Sequence, residues 1–252
     1  MATKNRRIVF SFDKDGVLAD VIKPAKYSWV NVTKAFSKYL AEDLERLNDE
    51  RFKYIMKKAL DYSINKINGD GIYKLGLAYT LCYIINENDI SQTMIEWMLN
   101  RINSAGIDDR IIREEYASLA LQEDMFAFAV DAINTVPDDK IYIVSSAYGV
   151  RDWLKIQLNK FNINKSIVVF EKAADKSIHF IDLSNYGDII FFTDSIFDVK
   201  DGLEAIKKGA RLNIYGVTTG LYDRDDFLRY NIEVYDNVLS AVMSLVENKG
   251  KG

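Results

Sequence analysis

The stretch FDKDGVL at residues 12–18 follows a short apolar run and carries two carboxylates, those of Asp13 and Asp15. Unbroken apolar runs are typical of parallel strands buried on both faces, and ligands of such sheets bind where the strands end. A carboxylate at this edge can attack an electrophilic phosphorus, while a neighbouring acid protonates the leaving oxygen and then activates water. A solvated Asp-Gly turn is the alternative interpretation of so short a motif.

Further apolar runs follow along the chain, and helix-like segments alternate with them. The runs lie at residues 141–144, 167–170, 189–192 and, more weakly, 212–215. The helix-like segments include residues 151–160 and 201–208. This alternation of strand and helix predicts an α/β fold with a doubly wound, Rossmann-like parallel sheet.

The segment between the first two apolar runs is far longer than the few dozen residues that a βα unit needs. Within it, apolar residues recur at spacings of three and four over residues 52–67 and 94–102, which is the pattern of amphipathic helices. The sequence therefore predicts an all-helical domain at 21–124. This domain is inserted into an α/β core that comprises residues 1–20 and 125–252.

Polar side chains also follow the later strands. Ser145 comes after the second run, Lys172 and Lys176 after the third, and Asp194 and Asp198 after the fourth. A hydroxyl and a lysine at this edge can bind a phosphoryl group, although a helix cap and solvated surface charges are the alternatives. Two or three carboxylates from different strands would form an oxygen-rich site that suits Mg²⁺. Such a cation lowers the cost of bringing a carboxylate to a dianionic phosphate.

The composition excludes other kinds of site. With 33 Lys and Arg against 37 Asp and Glu, the formal charge is -4, and we expect no nucleic-acid partner. His179 is the only histidine, which excludes zinc sites that need two or three. The apolar runs are too short to cross a bilayer, and the single cysteine, Cys82, cannot form an internal disulfide. We therefore expect a cytoplasmic protein that binds no membrane.

The strand-end residues, in their order along the chain, resemble the four motifs of the haloacid dehalogenase superfamily. Residues 13–18 match its DxDG[VT]L motif, and Ser145 matches the Ser or Thr that ends the second strand. Lys176 or Lys172 matches the third-motif lysine, and Thr193 begins a match to [GST]DxxxD. The helical insertion after the first motif resembles the helical cap of that family.

The resemblance implies catalytic and phosphate-binding roles. Asp13 would be the nucleophile that becomes an aspartyl-phosphate, and Asp15 would be the general acid and base. Ser145, Ser146 and Lys176 would bind the phosphate. An acid at the second position also favours phosphoester chemistry, because members that cleave carbon–halogen bonds or phosphonates lack it.

The resemblance also implies a magnesium site. The carboxylate of Asp13, the backbone carbonyl of Asp15 and the carboxylate of Asp194 would hold Mg²⁺. Asp198 would support either the metal shell or Lys176. We therefore expect at least three of the acids to meet around one cation.

Three other stretches bear on this interpretation. Lys14 stands between the two acids at a position that is often apolar in the family. The stretch GVTTG at 216–220 resembles the segment after the fifth strand in phosphatase members. We interpret the NGDG stretch at 68–71 as a turn that, with Tyr73 and Lys74, faces the substrate.

Together, the residues and the resemblance predict a magnesium-dependent phosphatase that hydrolyses a small phosphorylated metabolite through an aspartyl-phosphate. A phosphomutase on the same scaffold is one alternative, because it would keep the phosphoryl group on a bisphosphate intermediate. A catalytically silent, metal-stabilised binding module is another. A mutase should need a bisphosphate activator and release little phosphate, which distinguishes the two enzymes.

Overall fold

The computed structural model describes residues 7–66, 71–87, 89–137, 140–173 and 175–249. The chain forms two compact units, Met1–Val21 with Glu123–Gly252 and Ile22–Gln122. We call the first the core unit and the second the cap unit. The boundaries predicted at 20/21 and 124/125 lie within two residues of those in the structure.

The core unit contains a parallel sheet, as the apolar runs predict. Its described strands are β1 Ile8–Phe12, β2 Lys140–Val144, β3 Ser166–Phe170, β4 Asp188–Thr193, β5 Leu212–Val217 and β6 Glu233–Tyr235. Their spatial order is β3-β2-β1-β4-β5-β6, and every neighbouring pair is parallel. The edge strand β6 was not predicted, because a strand of three residues leaves no clear apolar run.

The cap unit is helical, as the periodicity predicts. Its described helices are α1 Ile22–Lys34, α2 Lys38–Arg46, α3 Asp49–Lys66, α4 Ile72–Ile85, α5 Gln92–Ser104 and α6 Asp109–Ala120. Residues 68–70 of the predicted turn lie outside the described residues. Tyr73 and Lys74 lie in the first turn of α4, where their backbone N–H groups donate to the Asp109 carboxylate at 3.3 and 2.7 Å. Among the described helices, none combines the length and apolarity that a membrane span requires.

The helices of the core unit cover both faces of its sheet. They are α7 Ala127–Thr135, α8 Val150–Lys160, α9 Lys176–Leu183, α10 Ile196–Lys207, α11 Arg224–Leu228 and α12 Val238–Lys249. The chain moves from β1 toward one edge and from β4 toward the other, and crossovers between parallel strands are right-handed. The change of direction therefore places helices on opposite faces, with the switch point between β1 and β4. Consistent with this arrangement, α9 packs against α10 and α7 packs against α12.

Burial on both faces explains the unbroken apolar run of β4. Phe191 packs against Phe180 of α9 with ring centroids 4.7 Å apart, whereas Phe192 stacks on Phe12 at 5.1 Å. All four rings are fully buried. Phe12 and Phe192 are also register partners in the sheet, so β1 and β4 end within one residue of each other. The residues that follow these two strands therefore start from neighbouring positions.

Close packing at Gly216 generates a stability prediction. A methyl group at this position would lie 2.7 Å from the fully buried ring of Phe227, so Gly216→Ala should lower the free energy of unfolding by about 1–3 kcal/mol. Gly76→Ala is the control, because its methyl would lie 3.6 Å from Ser63 and the change favours the helix by roughly 1 kcal/mol. Urea denaturation followed by circular dichroism measures both. Equal losses in the two variants would contradict the packing described here.

Candidate active site

The site is built where β1 and β4 end side by side. The backbone N–H of Asp13 donates to the carbonyl of Phe192 at 3.0 Å, which extends the pairing of the two strands by one residue. Asp194 follows β4 directly, as Asp13 follows β1. Both residues are buried: 7% of Asp13 and 5% of Asp194 is exposed. The switch point of the sheet thus carries two buried acids from neighbouring strands.

Lys176 supplies the positive charge at this point. Its Nζ lies 3.0 Å from Oδ2 of Asp13 and 2.6 Å from Oδ2 of Asp198, and only 2% of the residue is exposed. Lys176 is the first residue of α9, and its backbone N–H donates to the carboxylate of Asp201 at 3.0 Å. Lys176 is therefore held at its backbone by Asp201 and at its ammonium group by Asp13 and Asp198.

The position of Lys172 differs from that of Lys176. Its side chain is exposed, its φ is 62°, and its Nζ lies 4.9 Å from the centre of the Tyr148 ring. Of the two lysines that the sequence left open, the structure therefore brings Lys176 to the acids.

Asp198 supports the lysine. Its Oδ2 accepts from Nζ of Lys176 and, at 2.8 Å, from the hydroxyl of Thr193. The hydroxyl of Thr193 in turn accepts from the backbone N–H of Ser195 at 3.0 Å. Between the two roles that the resemblance allowed for Asp198, these contacts favour the one that holds Lys176.

Asp15 forms an ion pair with its neighbour in sequence. Nζ of Lys14 lies 2.6 Å from Oδ1 of Asp15 and 5.1 Å from the centre of the Trp153 ring. Lys14 is 1% exposed, whereas 18% of the Asp15 side chain remains accessible. The indole N–H of Trp153 donates to the carbonyl of Glu123 at 2.7 Å, which fixes the ring. The buried ammonium group of Lys14 therefore contacts the carboxylate of Asp15 and the face of the Trp153 ring.

The serines that follow β2 lie at the same edge of the sheet. Ser145 is buried, its N–H donates to Phe170, and its hydroxyl accepts from the N–H of Ala147 at 3.2 Å. Ser146 is exposed. Within the described ranges, no hydrogen bond joins either serine to the acids. The hydroxyl proton of Ser145 remains able to donate to an incoming oxyanion.

The electrostatics of the site favour an additional cation. Carboxylates exceed ammonium groups by two in the set Asp13, Asp15, Asp194, Asp198, Lys14 and Lys176. Burial raises the pKa of Asp194 to about 7 and raises the pKa of Asp13 well above its usual range, although Lys176 opposes the shift in both. Burial lowers the pKa of Lys176, but Asp13 and Asp198 more than offset this and raise it. The carboxylates thus carry a desolvation cost that one lysine only partly offsets.

The Mg²⁺ ligands that the resemblance implies include only two carboxylates, those of Asp13 and Asp194, and the described part of the chain contains no larger cluster of acidic side chains for a metal. No group of three His, Cys, Asp or Glu residues there is arranged to hold a metal ion. The reason is that the carboxylate of Asp15 pairs with Lys14, and Asp198 pairs with Lys176.

A smaller set of oxygen donors remains. Oδ2 of Asp194 accepts from the N–H of Leu221 at 3.0 Å, whereas no described residue donates to its Oδ1 or to the backbone carbonyl of Asp15. With the carboxylate of Asp13, these donors are the two carboxylates and one carbonyl that the resemblance implies. Oxygen donors with excess negative charge fit Mg²⁺.

Sequence reasoning assigned no role to three contributors to this site. Thr193 and Asp201 position the ion pairs, and Trp153 packs on Lys14. A signal existed for Asp201, because it stands three residues after Asp198 and so shares its face of α10. The contact of Trp153 joins distant parts of the sequence, and nothing local indicates it.

Comparison with known proteins supports the fold. No known family profile matches the sequence, and no curated protein matches it. A protein assigned as a phosphoglycolate phosphatase, from Lactobacillus delbrueckii subsp. bulgaricus, matches with 13% identity, 96% and 98% coverage of this chain and its own, and a TM-score of 0.56. One assigned as a beta-phosphoglucomutase, from Thermotoga maritima, matches with 18% identity, 96% and 99% coverage, and a TM-score of 0.51.

A third structure is described by the name of the family that the motifs resemble. A protein assigned as a haloacid dehalogenase-like hydrolase, from Bacteroides fragilis, matches with 15% identity, 92% and 98% coverage, and a TM-score of 0.50. At these identities, the similarities establish the fold, and the function must be argued from the site.

The buried ion pairs generate a prediction about the two lysines. Lys176→Met leaves Asp13 and Asp198 without their counter-ion, so it should lower the free energy of unfolding by about 3–5 kcal/mol at pH 7.5. The loss should shrink as the pH falls, because burial raises the pKa of Asp13 and its protonation removes part of the uncompensated charge. Urea denaturation at pH 7.5 and pH 5 measures it.

The exposed lysine provides the control. Lys172→Met should change the free energy of unfolding by no more than about 0.5 kcal/mol at either pH. If the two variants lose equal stability, or if the loss in Lys176→Met grows as the pH falls, the assignment of the buried pair to Lys176 fails.

Proposed function

We propose that this chain is a magnesium-dependent phosphatase of the haloacid dehalogenase type, which hydrolyses a small phosphorylated metabolite through an aspartyl-phosphate on Asp13. One observation carries the proposal: the Asp13 carboxylate lies at the switch point of a parallel sheet, 3.0 Å from the buried ammonium of Lys176. A second carboxylate follows two residues later and remains partly accessible. The single, buried thiol of Cys82 suits the reducing cytoplasm, where we place the protein.

In the first step, a carboxylate oxygen of Asp13 attacks the phosphorus of the substrate. The new bond from the Asp13 oxygen to phosphorus forms as the ester bond from phosphorus to the leaving oxygen breaks. Asp15, protonated at this point in the cycle, gives its proton to that leaving oxygen, so the product departs as an alcohol and Asp15 is left as the carboxylate that pairs with Lys14. Lys176 contributes a fixed positive charge beside the attacking carboxylate, and Ser145 can donate to a phosphoryl oxygen.

In the second step, water replaces the enzyme on phosphorus. Asp15, now ionised, removes a proton from the water as its oxygen bonds to phosphorus. The bond between phosphorus and the Asp13 oxygen breaks, which releases inorganic phosphate and restores the Asp13 carboxylate. The proton taken up by Asp15 restores the acid for the next cycle.

The residues that would hold Mg²⁺ are Asp13, through its carboxylate, Asp15, through its backbone carbonyl, and Asp194, through Oδ1. Bound there, Mg²⁺ would offset the negative charge shared by the acids and the phosphate. The excess of carboxylates over lysines at this edge supports its presence.

A phosphomutase remains the second candidate. One solved structure with this fold is assigned as a beta-phosphoglucomutase, and the same pair of acids would serve both reactions. The silent binding module finds less support, because Asp13, Lys176, Asp194 and Asp198 converge on one edge of the sheet with a second acid beside them.

The nucleophile provides the first test of the proposal. Asp13→Asn should lower magnesium-dependent phosphate release by about 10³-fold or more, because the amide cannot form the aspartyl-phosphate. Asp15→Asn should lower it by about 10²–10⁴-fold through loss of the acid and base. The assay measures phosphate released from sugar phosphates, phosphoglycolate and nucleotides, with and without Mg²⁺.

An aspartate outside the site serves as the control. Asp152→Asn on α8 changes a side chain that is 79% exposed, and it should retain wild-type activity. Full activity in Asp13→Asn would overturn the proposal.

The fate of the phosphoryl group distinguishes the two enzymes. A phosphatase should release one phosphate for each substrate consumed and should not respond to an added sugar bisphosphate. Phosphorus NMR of the products follows both quantities. Isomerised sugar phosphate that forms only with the bisphosphate, with little free phosphate, would favour the mutase instead.

A further inference from the structure

Asp194 is enclosed by the segment that follows β5. This segment, Thr219, Gly220 and Leu221, is called here the 219–221 clamp. The backbone N–H of Leu221 donates to Oδ2 of Asp194 at 3.0 Å. Gly220 lies so close to the same carboxylate that a Cβ at this position would overlap it. The clamp thus contacts Asp194 through the backbone N–H of Leu221 and through the backbone of Gly220, which has no side chain.

A second glycine approaches the carboxylate from the motif after β1. Gly16 has a φ of +73°, and a Cβ there would also overlap the carboxylate of Asp194. The hydroxyl of Thr219 donates to the carbonyl of Gly16, which ties the two backbones together. Asp194 therefore lies between two glycines, and the hydrogen bond from Thr219 joins the backbone segments that carry them.

The enclosure acts on one carboxylate oxygen and leaves the other available. Oδ2 accepts from Leu221, whereas no donor to Oδ1 is found in the part of the chain that the structure covers. Rotation of the carboxylate is restricted, because both glycine backbones pack against it. A carboxylate fixed in this way presents one oxygen in a set direction, which is what the ligand of a hard cation needs.

We propose that Thr219 is a positioning residue for Asp194 and that, through its bond to Gly16, it sets the affinity of the site for Mg²⁺. This inference rests on the proposed function, because it takes Asp194 as a ligand of the cation. It assigns a role to the GVTTG stretch, whose part in the site the motifs alone did not explain. Thr219 itself contacts neither the cation nor the substrate in this account.

The test measures metal binding directly on the full chain. Thr219→Val keeps the size of the side chain but removes the donor, so the dissociation constant for Mg²⁺ or Mn²⁺ should rise by about 10–100-fold. Thr219→Ser restores the hydroxyl and should bind within about threefold of the wild type. Titration calorimetry with Mg²⁺ and electron paramagnetic resonance of Mn²⁺ report the affinity without any substrate.

The neighbouring threonine provides a matched control. The hydroxyl of Thr218 donates to the carbonyl of Asp236 at 3.4 Å, away from Asp194, so Thr218→Val should leave the metal affinity unchanged. Thr219→Ala repeats the loss of the donor with a smaller side chain, in case Thr219→Val does not fold. Urea denaturation of each variant shows whether stability and metal affinity change separately.

The outcomes separate this inference from the proposed function. If the wild type binds the metal and Thr219→Val or Thr219→Ala binds it equally well, the inference fails and the phosphatase proposal stands. The inference also fails if Thr218→Val weakens binding as much as the change at Thr219. If the wild type binds neither metal, the magnesium-dependent function fails together with the inference.

Discussion

The buried ammonium of Lys176 between the carboxylates of Asp13 and Asp198 is the interaction on which the rest of the site depends. Charges removed from water are tolerated only when they are paired and hydrogen-bonded. The two ion pairs join the end of β1 to the first turns of α9 and α10, and the hydrogen bond from Thr193 to Asp198 adds the end of β4. The carboxylate of Asp13, which we propose as the nucleophile, is thereby held in place without a substrate.

The same arrangement explains why the site favours a cation. Lys176 is already engaged by two acids, and Asp194 is held by the backbone of Leu221 and by two glycines instead of by a lysine. Packing thus keeps a buried carboxylate without a full counter-charge, and burial raises its pKa to about 7. In the proposed function a divalent cation would supply the missing charge, so the buried carboxylates that cost folding energy without it would be the ones that bind it. The buried carboxylates that lack a full counter-charge therefore account for both the electrostatics of the site and the proposed need for a cation.

The sequence alone predicts the elements that are determined by neighbouring residues in the chain. Strands buried on both faces must be apolar throughout, so β1, β2, β3, β4 and β5 were predicted, and the acids that follow them were located with them. The choice between Lys176 and Lys172 was not local, because it depends on the helix start that Asp201 fixes from α10. The pairing of Lys14 with Asp15 against Trp153 likewise depends on α8, more than a hundred residues away.

The most direct measurement is a search for a phosphoryl group on Asp13 during turnover. The wild type is mixed with Mg²⁺ and its best substrate, quenched in acid within one turnover, and digested for mass spectrometry of the peptide that contains residues 12–18. The account predicts a phosphoryl group on Asp13 that disappears when the substrate is exhausted and never forms in Asp13→Asn. Steady release of phosphate with Asp13 unmodified at every quench time would contradict it.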